Sequence, residues 1–393
     1  MIQSILHIVL FAAICFGILY FTVAAGFIAL ERLRARRRSD VPAYRPPITV
    51  FKPLKGLDDQ LEDNLRSFFE LDYPEYELLF GVADTDDPAI DVVQKLRRVY
   101  PMVHARLVVD PGQIGLNPKV NNLHNMYPFA RHDYFVISDS NVRVPRNYLS
   151  DLIAHMQSDD VGMVTSHIRG VGATTFGAAM ENLHLNTFIA DSVYAVGRLF
   201  GVPVTIGKSM LIRRETLESI GGFRAFAQYL LEDGLLGKAI DERGMTVLTT
   251  CLPVENVNAT WTLTRFCSRH LRWATMRRHL NIGYYIAEIL SNPTALALIN
   301  FSVQRDPASL GLLLSVSAAR IVLDMITGLL MRSESRWSHY LMVPVKDLVM
   351  FGLWLIPFFN RMVTWRGHRF RVRKLTRLEP VATEVAEADL TTG

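Results

Sequence analysis

Cysteine is scarce: Cys15, Cys251 and Cys267 are the only three in 393 residues. Cys15 lies in an apolar run and the other two are not in CxxC spacing. That argues against a disulfide scaffold or a zinc site and fits a reduced compartment. Charge of one sign is also lacking. The net charge is +4, and the basic residues are clustered rather than spread, too weak a pattern for nucleic acid. The common nucleotide fingerprints are missing too. No GxGxxG follows the first expected strand and no GxxxxGK[ST] occurs, so a dinucleotide or P-loop site is unsupported. Gly207-Lys208-Ser209 imitates the end of a P-loop, but the upstream glycine spacing is wrong and the stretch reads as a strand edge. No Ser-His-Asp or reactive-Cys arrangement announces an enzymic nucleophile.

Apolar residues, by contrast, make up 50% of the chain, which is high for a soluble protein. Ile5–Leu30 is almost unbroken apolar sequence, long enough to cross a hydrocarbon core of about 30 Å. Arg32, Arg34, Arg36, Arg37 and Arg38 follow it. A signal peptide carries its positive charge before the apolar run, so this one reads as an uncleaved anchor with its arginines cytoplasmic. Residues 1–40 form the anchor and basic flank, and 41–281 a cytoplasmic α/β domain. In that domain Ile48–Phe51, Tyr76–Val82, Ala105–Val109, Tyr134–Ser138 and Val161–Ser166 have strand character. Leu57–Leu71, Ala89–Val99, Tyr148–Met156 and Thr174–Val193 have helical spacing. This alternation predicts a parallel, doubly wound sheet whose ligand crevice lies beyond the strand ends.

Residues 282–365 hold three further apolar segments, near Ile282–Val303, Leu310–Met331 and Tyr340–Trp365. They carry Glu288, Arg320, Asp324, Lys346 and Asp347, charges that at membrane depth must pair or face protein or water. Residues 366–393 begin with Arg366, Arg369, Arg371, Arg373, Lys374 and Arg377 and end in a stretch, Glu379–Gly393, whose composition predicts disorder. Three crossings after a cytoplasmic domain would put this basic tail outside, against the positive-inside tendency. Two segments should therefore span and one should not. Tyr340–Trp365 is the first choice for a re-entrant hairpin, and Ile282–Val303 the second, as an interfacial helix.

The chemistry centres on Phe135–Val144, where a buried strand ends in Asp139-Ser140-Asn141. A strand-end carboxylate there can hold a hard cation that grips a nucleotide's phosphates, although such a tripeptide is also an ordinary turn. Glu232 and Asp233 open a helix, where a carboxylate also suits the dipole. Arg269-His270-Leu271-Arg272-Trp273 combines rigid phosphate donors with an indole, and equally suits a basic helix on anionic lipid.

The order Asp84, Asp139, Asp233, Arg269-x-x-Arg272-Trp273 resembles the D, D, D, (Q/R)xxRW signature of membrane-bound inverting glycosyltransferases of GT-A fold. Among them it is most similar to ceramide glucosyltransferases. Lys52-Pro-Leu-Lys-Gly56, Asn64–Tyr73, Asp86–Asp91, Gly115–Leu123 and Phe226–Asp233 look like that family too, and the blocks span the chain from the anchor to about Arg373. The resemblance implies a nucleotide-diphospho-sugar transferase domain, Rossmann-like, between membrane segments. It implies that Asp84 binds the uridine, that Asp139 with Asn141 holds Mg²⁺ or Mn²⁺, and that Asp233 is the general base. Arg269, Arg272 and Trp273 would close on the diphosphate and acceptor, and Lys119 and Asn122 would touch the nucleotide. Many relatives have a second carboxylate where this chain has Asn141, which weakens the expected metal site. The implied partners are a UDP-sugar donor, UDP-glucose first, and a lipid acceptor in the bilayer. The implied location is a bacterial inner membrane. The rival readings are a hopanoid-associated N-acetylglucosamine transferase and a non-catalytic nucleotide-sugar-binding protein. A polysaccharide synthase would need more spanning helices.

Overall fold

The computed structural model describes residues 2–37, 44–365 and 368–381. Arg38, Arg366, Gly367 and most of the tail expected to be disordered, residues 382–393, lie outside them. One eight-stranded sheet organises the α/β domain. β1 (Ile48–Pro53), β2 (Tyr76–Val82), β3 (His104–Val109) and β4 (Tyr134–Ile137) form its parallel half, in the order β3-β2-β1-β4. Beyond β4 the order continues β7-β6-β8-β5, with β5 (Val142–Arg143), β6 (Val161–Val171), β7 (Met210–Arg213) and β8 (Thr246–Val257). β7 runs antiparallel to both β4 and β6. The parallel sheet expected from alternation is thus corrected to a mixed one: β6 and β8 pair in parallel, but β7 and β5 pair antiparallel to their neighbours, although helices lie between β6 and β7.

The parallel strands are apolar on both faces because helices cover both. Successive residues enter opposite cores: Val50, Leu78, Phe80 and Val136 pack with Leu65, Phe68, Val93 and Leu96, whereas Phe51, Leu79, Phe135 and Ile137 pack with Val120, Leu123 and Met126. The expected helix Leu57–Leu71 is shorter, Leu61–Phe69, because Gln60 before it takes a left-handed conformation, φ 53°. The expected helix Thr174–Val193 continues to Phe200, with a π-helical turn at Leu185–Ile189.

Among the described residues, three helices are long and apolar enough to cross a membrane: Gln3–Arg34, Pro307–Leu330 and Trp337–Phe358. A pair bent by 75°, Ile282–Ser291 with Pro293–Gln304, would make a fourth if it counts as one span. Contacts give their directions. Gln3 Nε2 donates to Gln304 Oε1 (3.2 Å), His7 meets Asn300 (2.9 Å), and Gly17 lies against Pro293. The helix Pro293–Gln304 therefore runs antiparallel to the N-terminal helix. Pro307–Leu330 then returns, Val316 packing with Leu10 and Ile14, and Met331 with Ile28 and Tyr194 of the α/β domain. Trp337–Phe358 begins with Tyr340 on Gly328 and Leu183 and ends with Trp354 on Tyr285 and Phe358 under Arg278. Its middle, Lys346-Asp347, pairs with the buried Arg320 and Asp324.

Met362–Trp365, expected as the end of a membrane segment, is instead β9. With β10 (His368–Val372) and β11 (Leu378–Pro380) it forms a three-stranded antiparallel sheet. That sheet is tied to the loop before Asp233. Leu230 N–H donates to Thr376 O (3.0 Å), Leu231 N–H to Thr376 Oγ1 (3.2 Å), and Leu378 N–H to Gln228 O (2.8 Å).

Candidate active site

A cavity of about 830 Å³ opens beyond the ends of β1 and β4, and its lining includes Lys119, Asp139, Asn141, Lys208, Asp233, Arg269, Arg272, Trp273 and Trp365. The turn after β4 is held from behind. Lys52 Nζ, buried over the Phe68 ring (3.8 Å), donates to the carbonyl of Asp139 (2.5 Å), and Ser140 bonds to Asp58. The Asp139 carboxylate meets two ammonium groups, Lys119 at 2.9 Å and Lys208 at 3.2 Å. Burial alone would raise its pKa, but the two lysines outweigh burial and hold it well below the usual carboxylate range.

Lys119 comes from the helix Pro118–Met126, whose N-cap Asn117 accepts from the backbone of Lys119 and Val120. The amide of Asn117 donates to Tyr229 O (2.7 Å) and Glu232 Oε2 (3.1 Å). Lys119 Nζ also reaches Glu232 Oε1 (3.2 Å) and Gly207 O (2.9 Å). Glu232 is therefore committed to an ion pair. Asp233 has a different setting: its carboxylate accepts backbone N–H bonds from Gly207 and Gly234, each 2.8 Å. Burial, then the neighbouring Glu232, push its pKa up to about 6. Position 207 must be glycine for this approach, since a Cβ there would stand 2.4 Å from Asp233 Oδ2.

The helix Leu263–Leu280, capped by Thr262, brings the basic-aromatic stretch across the cavity. Arg269 is not an open phosphate donor. It pairs with buried Glu181 (2.8 Å) and lies 5.0 Å from the Trp261 ring and 4.4 Å from the Trp273 ring. Glu181 also bonds His270 Nε2 (2.7 Å). Arg272 and Trp273 line the cavity. Ile168, Ile189, Val193, Val204 and Ile206 make one wall apolar.

Two expected contacts are not brought into the cavity. Asp84 is exposed on the loop after β2 and outside the lining; its buried neighbour is Asp87, which accepts from Gly56 N–H and Ala89 N–H. Asn122 also lies outside it: its amide donates to Gly81 O (2.7 Å) and Leu54 O (3.4 Å), clamping two strand ends. Sequence reasoning passed over Lys208 and Glu181. Lys208 sat in a stretch dismissed as a false P-loop, and Glu181 had no motif around it. The hard oxygens of Asp139 and Asn141 converge on one cation and suit Mg²⁺ or Mn²⁺. Among the described residues no group of three or more His, Cys, Asp and Glu forms, so an ion there would depend on this pair and on donor phosphates.

The cavity lining thus holds a strand-end carboxylate flanked by two cations and a second carboxylate raised towards neutrality. The chain belongs to glycosyl transferase family 21, whose model matches residues 9–378. It is 31% identical over 278 residues to ceramide glucosyltransferase 1 of Caenorhabditis elegans, covering 70% of this chain and 59% of that protein. It is 28% identical over 311 residues to ceramide glucosyltransferase of Komagataella phaffii, covering 65% and 61%. The chain thus spans about three fifths of these curated relatives. A mannosyltransferase from Pyrobaculum calidifontis, solved with GDP-Man and Mn²⁺, aligns at TM-score 0.47 and 19% identity over 88% of this chain and 99% of that one.

Proposed function

We propose that this chain transfers glucose from UDP-glucose to the primary hydroxyl of ceramide, with inversion. The observation that carries the reading is Asp233: a carboxylate raised to about 6, held by backbone N–H groups, in a cavity with cations on one side and an apolar wall on another. Such a group is poised to accept a proton near neutral pH. In the transfer, Asp233 takes the proton of the lipid hydroxyl. The hydroxyl oxygen then bonds to the anomeric carbon as the bond to the UDP oxygen breaks on the opposite face. Arg272 stabilises the departing diphosphate by donating to its oxygens. Lys119 keeps Asp139 ionised and holds Glu232 in place. Mg²⁺ or Mn²⁺ held by Asp139 and Asn141 would neutralise charge on the leaving group. The nucleoside would extend from Asp139 along the strand ends towards Asp84. The named relatives support ceramide as the acceptor, and the apolar wall suits its tails.

We also propose a bacterial inner-membrane location with the α/β domain cytoplasmic. The C-terminal sheet hydrogen-bonds to the loop before Asp233, so both lie on one side, and an even number of crossings must separate them. The bent pair and Pro307–Leu330 supply two. Trp337–Phe358, with both ends near the α/β domain, is then the re-entrant segment. A reporter fused after Arg377 should read cytoplasmic; a periplasmic reading rejects this topology.

The functional test is incubation of membranes containing the chain with labelled UDP-sugars and lipids bearing a primary hydroxyl. A β-glucosyl ceramide formed together with UDP is expected. Transfer confined to another sugar or lipid class, or none, overturns the reading.

A further inference from the structure

The oxygens that a divalent ion would use are already gathered around a cation. Lys208 Nζ lies 2.7 Å from Asn141 Oδ1 and 3.2 Å from Asp139 Oδ2, at the wall of the cavity. We propose that Lys208 is a built-in cation for the donor's diphosphate, so that the nucleotide binds without a divalent metal. The proposal rests on the nucleotide-sugar reading above and adds the residue that makes it metal-independent at the binding step.

Three observations carry it. The first is that Lys208 is held in place by its neighbours. Gly207 N–H is fixed on Asp233 (2.8 Å), and Gly207 O on Lys119 (2.9 Å). On the other side, Ser209 N–H donates to Ile206 O (3.1 Å), and its hydroxyl meets Tyr148 (2.6 Å) and Ser166 (3.0 Å). The ammonium is thus presented from a pinned backbone. The second observation is a difference between the two lysines. Lys119 has three acceptors for its three hydrogens: Asp139, Glu232 and Gly207 O. Lys208 has two, and one of them is a neutral amide. Lys119 has Glu232 as a second carboxylate, whereas the one carboxylate of Lys208, Asp139, is shared. A phosphate oxygen is the acceptor that completes the hydrogen bonding of Lys208. The third observation is Asn141 itself. A carboxylate at this position would neutralise Lys208 or call for a divalent ion beside it. The amide leaves the lysine charged and directed. Lys208 and Asn141 therefore explain each other.

The test is calorimetric titration of UDP into the purified full chain in detergent, with EDTA or with Mn²⁺. The unmodified chain should bind UDP in EDTA. Lys208→Met and Lys208→Gln should each weaken that metal-free binding by roughly 10- to 100-fold, the range for losing a charge-assisted contact. Part of the loss should return with Mn²⁺, and Lys208→Arg should retain metal-free binding. Lys208→Gln keeps a polar, uncharged donor at the position and covers the case in which the methionine variant does not fold. UDP binding by the unmodified chain only in Mn²⁺, or unchanged metal-free affinity in both neutral variants, overturns the inference and leaves the donor reading standing. If the unmodified chain binds UDP under neither condition, the nucleotide-sugar reading falls, and this inference with it.

Discussion

Asp139 and Asp233 face the same cavity and differ in what surrounds them. Asp139 lies between two ammonium groups and is held ionised well below the usual range. Asp233 sees two backbone N–H groups and the neighbouring Glu232, and is raised to about 6. One residue type thus supplies both a permanent charge and a titrating base to one cavity. Environments that push two carboxyl groups apart assign their roles. Asp139 organises cations where diphosphate charge would sit. Asp233 can move a proton.

The largest expected effect comes from removing the base. Asp233→Asn should lower transfer by about 10²- to 10⁴-fold while UDP titration is unchanged. The same variant tests the raised pKa. Because the folded-state value lies above the ordinary one, the stability linked to the protonated carboxyl is lost as pH rises through about 6. Asp233→Asn should therefore melt at a higher temperature than the parent at pH 8, and with little difference at pH 4. An equal loss of UDP binding and transfer would mean that Asp233 is not the base.

Gly207→Ala leaves both carboxylates in place but crowds one. The new Cβ, 2.4 Å from Asp233 Oδ2, must displace it, and a misplacement of this kind costs about 10²-fold in turnover. Lys119→Met attacks the other end. It strips Asp139 and Glu232 of their shared cation and should destabilise the domain by about 3 kcal/mol, the low end for breaking a buried pair, because Asp139 keeps Lys208. Denaturant unfolding would measure it. Lys119 also lowers the pKa of Asp233, so the acid limb of kcat/KM should move to higher pH in this variant. The smallest effect is that of Glu232→Gln, which removes a charge that raises Asp233. The acid limb, expected near pH 6 in the parent, should shift down, and a limb that stays in place would deny the coupling.

Much of this was legible in the sequence because it depends on neighbours along the chain. Buried strands announced themselves as apolar runs, Asp139 as the residue after one, and Asp233 as an acidic residue at a helix start. Arg272 and Trp273 followed from the resemblance to the family motif. What escaped depends on which distant segments meet. Lys208 reaches Asn141 from 67 residues away and Arg269 reaches Glu181 from 88 away. No local pattern marks a lysine as the counter-ion of a turn that remote in sequence. The same holds for the placement of Asn122, whose amide bonds to two strand ends, and of Asp84, exposed and outside the cavity lining. Composition fixed that the last third of the chain is apolar and interrupted by charge. Only packing decided that Lys346 and Asp347 lie against Arg320 and Asp324, where opposite charges offset one another away from water. Likewise Arg369 and Arg371 read as part of a tail, yet they lie in a sheet whose connecting turn bonds to the Asp233 loop from 145 residues away. A hydrogen bond of 3.2 Å cannot reach across a bilayer, so this sheet and the Asp233 loop share one side.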